Sequence, residues 1–296
     1  MGIRNTAVYR EKMYICGDYA DVYIYPVYPN ILRPSGRRRS RRAPTRAVQE
    51  KLNRRHRAEK LSRLMNANFT EEDLAVTLTY AINPDSDEVA TKDIQKWLRR
   101  VRYRCKKAGI VLKYIWTMER SGKGRYHFHV VLSGGLDRDE LEELWGHGYA
   151  NSKRLQFDDN GLTALSRYMT KNYDEAGDRP AYRAYNPSKN LIDPEPTYSD
   201  SRVRSRKRAA ALAEEDFGAW HELYPDYQIA DLQPFFSDEY GSIYIFARLR
   251  RTERQGRNRH ERKRNGRKTA GDLQSLRSVG AGGHTGPSAA DGRTGG

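Results

Sequence analysis

The chain is poor in cysteine: Cys16 and Cys105 are the two in 296 residues, and no Cys-x-x-Cys occurs. A disulfide scaffold and a cysteine-rich zinc site are therefore excluded. No stretch approaches the ~20 consecutive apolar residues of a transmembrane helix. The opening residues, MGIRNTAVYR, lack the apolar run of a secretory signal. They fit the loose Met-Gly-x-x-x-Ser/Thr acylation pattern at Gly2 and Thr6, which recurs by chance and whose single acyl chain would anchor weakly. No Gly-x-x-x-x-Gly-Lys-Ser/Thr phosphate loop is present. The expectation is a cytoplasmic protein with no membrane partner.

Acidic residues are in deficit. Lys and Arg number 54 against 38 Asp and Glu, a net charge of +16, and the sequence pI is about 9.8. A positively charged substrate is disfavoured. Nucleic acid is the default polyanion for such a chain, because neutralising phosphates releases counterions; a membrane surface is the rival. A mean hydropathy of −0.92 and 37% apolar residues place part of the chain outside any packed core.

Four segments are expected. Residues 1–69 hold a tyrosine-rich stretch, with one short strand at 21–25 ended by Pro26 and Pro29, and then a basic arm. Residues 31–63 carry 13 Lys and Arg against two Glu, including RRRSRR at 37–42. From about Thr45 to Met65 a basic helix can form on a thin stripe of Val48, Leu52, Leu61 and Leu64. Residues 70–175 read as a folded core. LAVTLTY (74–80) alternates as a strand, and Thr91 to Cys105 is a helix with Ile94, Trp97, Leu98 and Val101 opposite basic residues. VLKYIWTM (111–118) and YHFHVVL (126–132) are strands joined by the SGKG turn. Asp137 opens a short helix, 147–157 return as a strand, and 162–173 are helical. Residues 176–250 form a C-terminal extension packed on or beside the core, and 251–296 a basic tail with nothing to bury, expected to be disordered. The fold class is α+β: a central antiparallel sheet with flanking helices.

Four features could carry chemistry. His127 and His129 are i and i+2 on a strand, so they share a face, away from Phe128 and Val130. Two imidazoles side by side make a pair of metal ligands, although a bare His-x-His is more often a half-exposed strand. Glu119 lies eight residues before His127, and the intervening turn folds it back beside the pair. Two His and one carboxylate suit Mg²⁺ or Mn²⁺ with positions left for water or phosphate; zinc shares these ligand types. Tyr168 sits about 60° from Leu165, at the edge of its helix's apolar stripe, with Lys171 one turn on. A tyrosine there is ordinarily a packing residue with a wet hydroxyl, but a phenol near a cation is also a nucleophile. Tyr173 points about 140° away from Tyr168. The fourth feature is VTLTY at 76–80.

In this order the motifs resemble the HUH endonucleases, specifically the single-tyrosine rolling-circle replication initiators of small phages and plasmids. The strand ending in a Thr-Leu-Thr run looks like Val76 to Tyr80; His-hydrophobic-His matches His127, Phe128 and His129; the upstream acidic ligand matches Glu119; Tyr-x-x-Lys matches Tyr168 and Lys171. The resemblance spans about residues 70–175. It implies a ferredoxin-like or RRM-like sheet with the His pair on a central strand. It further implies a divalent ion, Mg²⁺ or Mn²⁺, on Glu119, His127 and His129, and Tyr168 as the nucleophile that leaves a 5′-phosphotyrosine, with Lys171 offsetting charge. The implied partners are a single-stranded DNA origin, such as a hairpin, a host polymerase and, since no phosphate loop is present, a host helicase, all in a bacterial cytoplasm. Arg37, Arg38, Arg39, Arg41 and Arg42 would grip phosphates without reading sequence, and N-terminal tyrosines would stack on bases. The rivals are a related transposase or relaxase and a non-catalytic basic binder. A histidine-triad hydrolase would need a third His where Val131 stands, and a two-histidine phosphoesterase a His-x-Ser/Thr that no other histidine begins.

Overall fold

The computed structural model describes residues 8–27, 46–121, 124–175, 183–237 and 241–252, with the side chains of 46–48 and 172–175 outside that description. In chain order the elements are β1 (Val8–Cys16), β2 (Tyr19–Val27), α1 (Arg46–Asn68), β3 (Leu74–Thr79), α2 (Asp87–Lys107), β4 (Tyr114–Arg120), β5 (Tyr126–Leu132) and α3 (Arg138–Glu143). They continue with β6 (Ala150–Arg154), α4 (Thr163–Glu175), β7 (Asn186–Pro187), β8 (Pro196–Arg204), α5 (Arg206–Ala213), α6 (Phe217–Leu223), β9 (Tyr227–Ser237) and β10 (Ser242–Arg251). The class is α+β. Two antiparallel five-stranded sheets form, in the orders β6-β3-β5-β4-β7 and β8-β1-β2-β10-β9.

The first of these sheets is built as its alternating residues dictate. Leu74, Val76 and Leu78 of β3, Trp116 and Met118 of β4 and Phe128, Val130 and Leu132 of β5 point to one side and pack against α2 and α3. Helix α2 starts where Ser86 accepts from the Val89 amide, carries Asp87 and Glu88 in its first turn and ends on Arg104, Lys106 and Lys107. Those charges match the helix dipole at both ends. Its buried stripe includes Ile94, Trp97, Leu98 and Val101; each such side chain withdrawn from water contributes about 1.5–3 kcal/mol. On the other side of the sheet, Ile115 and Val131 pack against Leu61, Leu64 and Met65 of α1, Leu162 just before α4 and Met169 within it.

The tyrosine-rich segment is a hairpin of two nine-residue strands rather than one short strand. Gly17, at φ +67°, turns the chain, and a Cβ there would meet the Asn66 carbonyl oxygen at 2.5 Å. Pro26 does not end the strand. It pairs with Tyr9 beyond Ile24, where the ladder between β2 and β10 stops, so its missing N–H forfeits nothing on that side. The hairpin joins strands from the other end of the described chain, and Tyr9, Met13, Val22, Ile245 and Leu249 pack with Leu212 and Trp220 of α5 and α6.

Helix α1 lies between the two sheets. Leu61 and Leu64 of the expected stripe are buried, whereas Leu52 is exposed and the Val48 side chain lies outside the described residues. Its polar side runs over the hairpin sheet: Arg63 donates to the Tyr23 hydroxyl at 3.0 Å, and Arg55 to Gln233 at 3.0 Å. A second tie is Arg248, which donates to both Asp21 oxygens at 2.7 and 3.0 Å and also reaches the Thr163 hydroxyl at the start of α4. The expected basic arm at Arg37, Arg38, Arg39, Arg41 and Arg42, and residues 253–296 of the tail, lie outside the described residues.

Candidate active site

Strand β5 is the middle strand of its sheet, flanked by β3 and β4. Its His127 and His129 each face one residue on either neighbour. Thr79 and Glu119 stand opposite His127; Thr77 and Thr117 stand opposite His129. Because side chains alternate along strands, all six share one face. The Thr79 hydroxyl is 3.1 Å from Nδ1 of His127, and the Thr77 hydroxyl is 3.4 Å from Nδ1 of His129. Oε2 of Glu119 lies 2.8 Å from Nε2 of His129.

Helix α4 brings the phenol. Leu162 and Met169 anchor the helix on this face, which leaves Tyr168 at the edge of the contact, 51% exposed. Its hydroxyl is 3.4 Å from Nε2 of His129, and the two rings meet edge to face at 4.8 Å. Lys171 follows one turn on and is exposed. Tyr173 lies on the same helix, with its side chain outside the described residues. Four residues from three elements thus meet on one face: Glu119 and Tyr168 both within hydrogen-bonding range of His129 Nε2, and His127 opposite Glu119 in register.

Burial lowers the His129 pKa below its usual value, with Glu119 pulling it partly back. Burial raises that of the Tyr168 phenol, and the Glu119 carboxylate adds to the rise. As it stands the site therefore favours the neutral phenol, and forming a phenolate requires added positive charge.

The donor types on this face, two imidazole nitrogens and a carboxylate, suit a divalent ion. The threonine contacts at Nδ1 leave Nε2 as the other nitrogen of each ring, the arrangement of metal-binding histidines whose second nitrogen is held by a polar partner. Thr117 adds a buried hydroxyl without a hydrogen-bond partner among the described residues, directly opposite His129. Among the described residues, however, no group of three or more His, Cys, Asp or Glu side chains is gathered closely enough to hold a metal ion. Glu119 and His129 are engaged with each other, so the set matches an ion in chemistry and in face but is not closed around one point.

Supporting residues that the sequence did not single out surround this face. Asn83 donates to the Gly124 carbonyl and accepts from the Tyr126 amide, tying the loop after β3 to the start of β5. The Trp145 indole donates to the Thr79 carbonyl at 3.0 Å, and the Thr79 amide donates to the Tyr149 carbonyl at 2.8 Å. Asn83 and Tyr149 lie in loops, where no hydrophobic period marks them; Trp145, which the periodicity places on a helix with Leu141 and Leu144, stands just past the end of α3. The sequence did foresee the basic side of α2. From Lys92 to Lys107 its exposed side chains are Lys92, Gln95, Lys96, Arg99, Arg100, Arg102, Tyr103, Arg104, Lys106 and Lys107, with no acid among them.

Residues 73–173, about a third of the chain, match the family model described as Replication-associated protein ORF2/G2P. The matched segment runs from β3 into α4 and contains Glu119, His127, His129, Tyr168 and Lys171. It is consistent with a phage or plasmid rolling-circle replication initiator. No curated protein and no solved structure matches the chain. Among the described residues no helix is long and apolar enough to cross a membrane.

Proposed function

We propose that this chain initiates rolling-circle replication by nicking, and later rejoining, a single strand of origin DNA with Tyr168 as its nucleophile. The observation that carries the reading is the Tyr168 hydroxyl 3.4 Å from His129 Nε2, itself 2.8 Å from Glu119. The phenolic oxygen attacks the scissile phosphorus in line, a phosphorus–oxygen bond to Tyr168 forms, and the bond to O3′ breaks. The phenol proton leaves to solvent at the exposed edge of the ring, and O3′ takes one up. The downstream strand stays on Tyr168 as a 5′-phosphotyrosine, while the free 3′-OH primes a host polymerase. In the reverse step a 3′-OH attacks that phosphorus, and the phenol is released.

The raised pKa of Tyr168 defines what must assist. Lys171, one turn on, offsets negative charge at the phosphorus. A divalent ion, Mg²⁺ or Mn²⁺, held by Glu119, His127 and His129 would supply Lewis-acid polarisation of the phosphate. The basic exposed side of α2 and the arginines at 37–42 hold backbone phosphates. Unwinding falls to a host helicase.

The test is a covalent adduct. Full-length protein with Mn²⁺ and a single-stranded origin oligonucleotide is expected to give a species stable in SDS. Tyr168→Phe is expected to abolish it and leave DNA binding intact. Loss with Tyr173→Phe instead reassigns the nucleophile, and absence of any adduct on hairpin oligonucleotides leaves a non-catalytic DNA binder.

A further inference from the structure

The face of the hairpin sheet turned away from α5 and α6 carries rings and cations in rows. Tyr198, Lys12, Tyr23, Phe246 and Gln233 pair in register across all five strands. At a strand spacing of about 4.8 Å, such a row spans about 19 Å. In the next row Arg10 stands opposite Tyr25, and Tyr244 opposite Phe235. Helix α1 covers the middle through Arg55 and Arg63 and leaves the flanks open. There Tyr198 is 58% exposed, Phe235 64% and Tyr244 38%. The Phe235 and Tyr244 rings lie 6.2 Å apart. The Lys12 ammonium sits 4.8, 6.0 and 5.9 Å from the ring centres of Tyr14, Tyr23 and Tyr198.

Scattered exposed apolar residues need no explanation, but a cluster on one face marks an interaction surface. Phe246 is buried beneath α1, whereas Tyr198, Phe235 and Tyr244 belong to none of the core clusters. Exposed rings on a sheet face, with cations beside them, match the two requirements of single-stranded nucleic acid: aromatic planes for bases and positive charge for the backbone. The acids at this face are engaged by other groups than Lys12: Asp200 is paired with Arg10 at 2.6 and 2.7 Å, Glu59 with Arg55 at 2.6 Å while also accepting from the Tyr23 hydroxyl, and Asp231 accepts from Gln233. We infer that this face is a stacking platform for single-stranded DNA, separate from the nicking site, with Tyr198, Tyr244 and Phe235 as its base-contacting residues and Lys12 as a phosphate contact. The choice of DNA rests on the replication reading above.

The test uses the full chain with Tyr198, Phe235 and Tyr244 all replaced by Ala. Affinity for a fluorescent oligo(dT) 20-mer is measured by anisotropy in EDTA, where no nicking contributes. Each lost stack weakens binding several-fold or more, so the triple variant is expected to bind at least about 30-fold more weakly. The salt dependence should keep its slope, since no cation is removed. Tyr198→Phe with Tyr244→Phe keeps the rings and should bind as wild type. Independently, photocrosslinking of wild-type protein to an iododeoxyuridine oligonucleotide should label Tyr198, Phe235 or Tyr244. Triple-variant affinity within about twofold of wild type overturns the platform, as does crosslinking confined to other residues. It is overturned equally if the variant loses only anionic-vesicle binding or only self-association. Failure of the nicking reading would appear separately, as a missing covalent adduct with oligo(dT) binding preserved.

Discussion

Thr79 and His127 stand opposite one another across β3 and β5, with the hydroxyl 3.1 Å from Nδ1. Thr77 and His129 repeat the relationship one pair along, at 3.4 Å. The Thr-Leu-Thr run of β3 is thus the partner strand of the His pair, each threonine holding one ring. Loss of such a partner typically costs 10- to 100-fold in metal affinity. Thr79→Val is expected to raise the Mn²⁺ concentration for half-maximal nicking by about that factor, with parallel weakening of Mn²⁺ binding by electron paramagnetic resonance. An unchanged Mn²⁺ midpoint would refute an orienting role for Thr79.

Gly148 sits at φ +148°, and a Cβ there would lie 2.4–2.9 Å from backbone atoms of Thr79, Tyr80 and Ala81. The obstacle is backbone, which cannot rotate away. Gly148→Ala should therefore cost more than about 1 kcal/mol and displace the end of β3 that carries Thr79. Urea titration and nicking at a temperature where the variant remains folded would separate the two effects. A variant as stable and as active as wild type would contradict the close approach.

Arg248 and Asp21 are both buried, and their bidentate pair joins β10 to β2. Asp21 also has Arg63 at 3.4 Å, so removing Arg248 leaves it one longer ion pair, at a cost of up to the ~3–5 kcal/mol of a fully unpaired buried charge. Arg248→Met is expected to lose stability on that scale in chemical denaturation. Arg248→Met with Asp21→Leu should recover part of it; if the double variant is no better than the single, the under-compensated charge of Asp21 is not the cause.

Burial pushes the Cys16 thiol up to about 12, with Asp21 adding to the shift and Arg63 and Arg248 opposing it. An unfolded cysteine titrates near 8.5, so above that pH the unfolded state loses a proton that the native state keeps. Stability from this group is complete below about 8.5 and declines as pH rises toward 12. Denaturant melts of wild type at pH 8 and pH 10.5 should differ by more than those of Cys16→Ala. Equal pH dependence of the two proteins would dismiss the thiol as the cause. A thiol reagent at pH 8 should react slowly with folded protein, since Cys105 is buried too.

The exposed side of α2 makes a prediction about salt. Replacing Lys92, Arg99 and Lys107 with Gln removes three cations from its surface. If all three contact phosphates, the slope of log affinity against log salt for duplex DNA should fall by roughly 2–3. An unchanged slope would leave these charges as solvated helix surface.

Much of the candidate site was legible because its logic is local. Strand periodicity puts His127 and His129 on one face, and the short turn returns Glu119 beside them. Tyr168 was legible as a residue at a stripe edge and through its Tyr-x-x-Lys resemblance; the packing of Met169 and Leu162 turned that edge toward His129. The N-terminal hairpin was half legible. Its alternation was masked because Tyr19, Ala20, Asp21 and Val22 are all buried: α1 and Arg248 cover the side that an isolated hairpin would leave wet.

By itself the amino-acid order determined the strands and helices of the segment from Leu74 to Glu175, the shared face of the two imidazoles and the basic surface of α2. These follow from repeats of two or 3.6 residues, which act over a few positions. Only the tertiary structure decided that the first strands of the described chain pair with its last, that Arg248 meets an aspartate 227 positions away, and that aromatic residues from both ends share one face whose flanks α1 leaves open. Partner choice between distant strands is set by which faces can be buried together and which charges paired, and no short-range pattern records it.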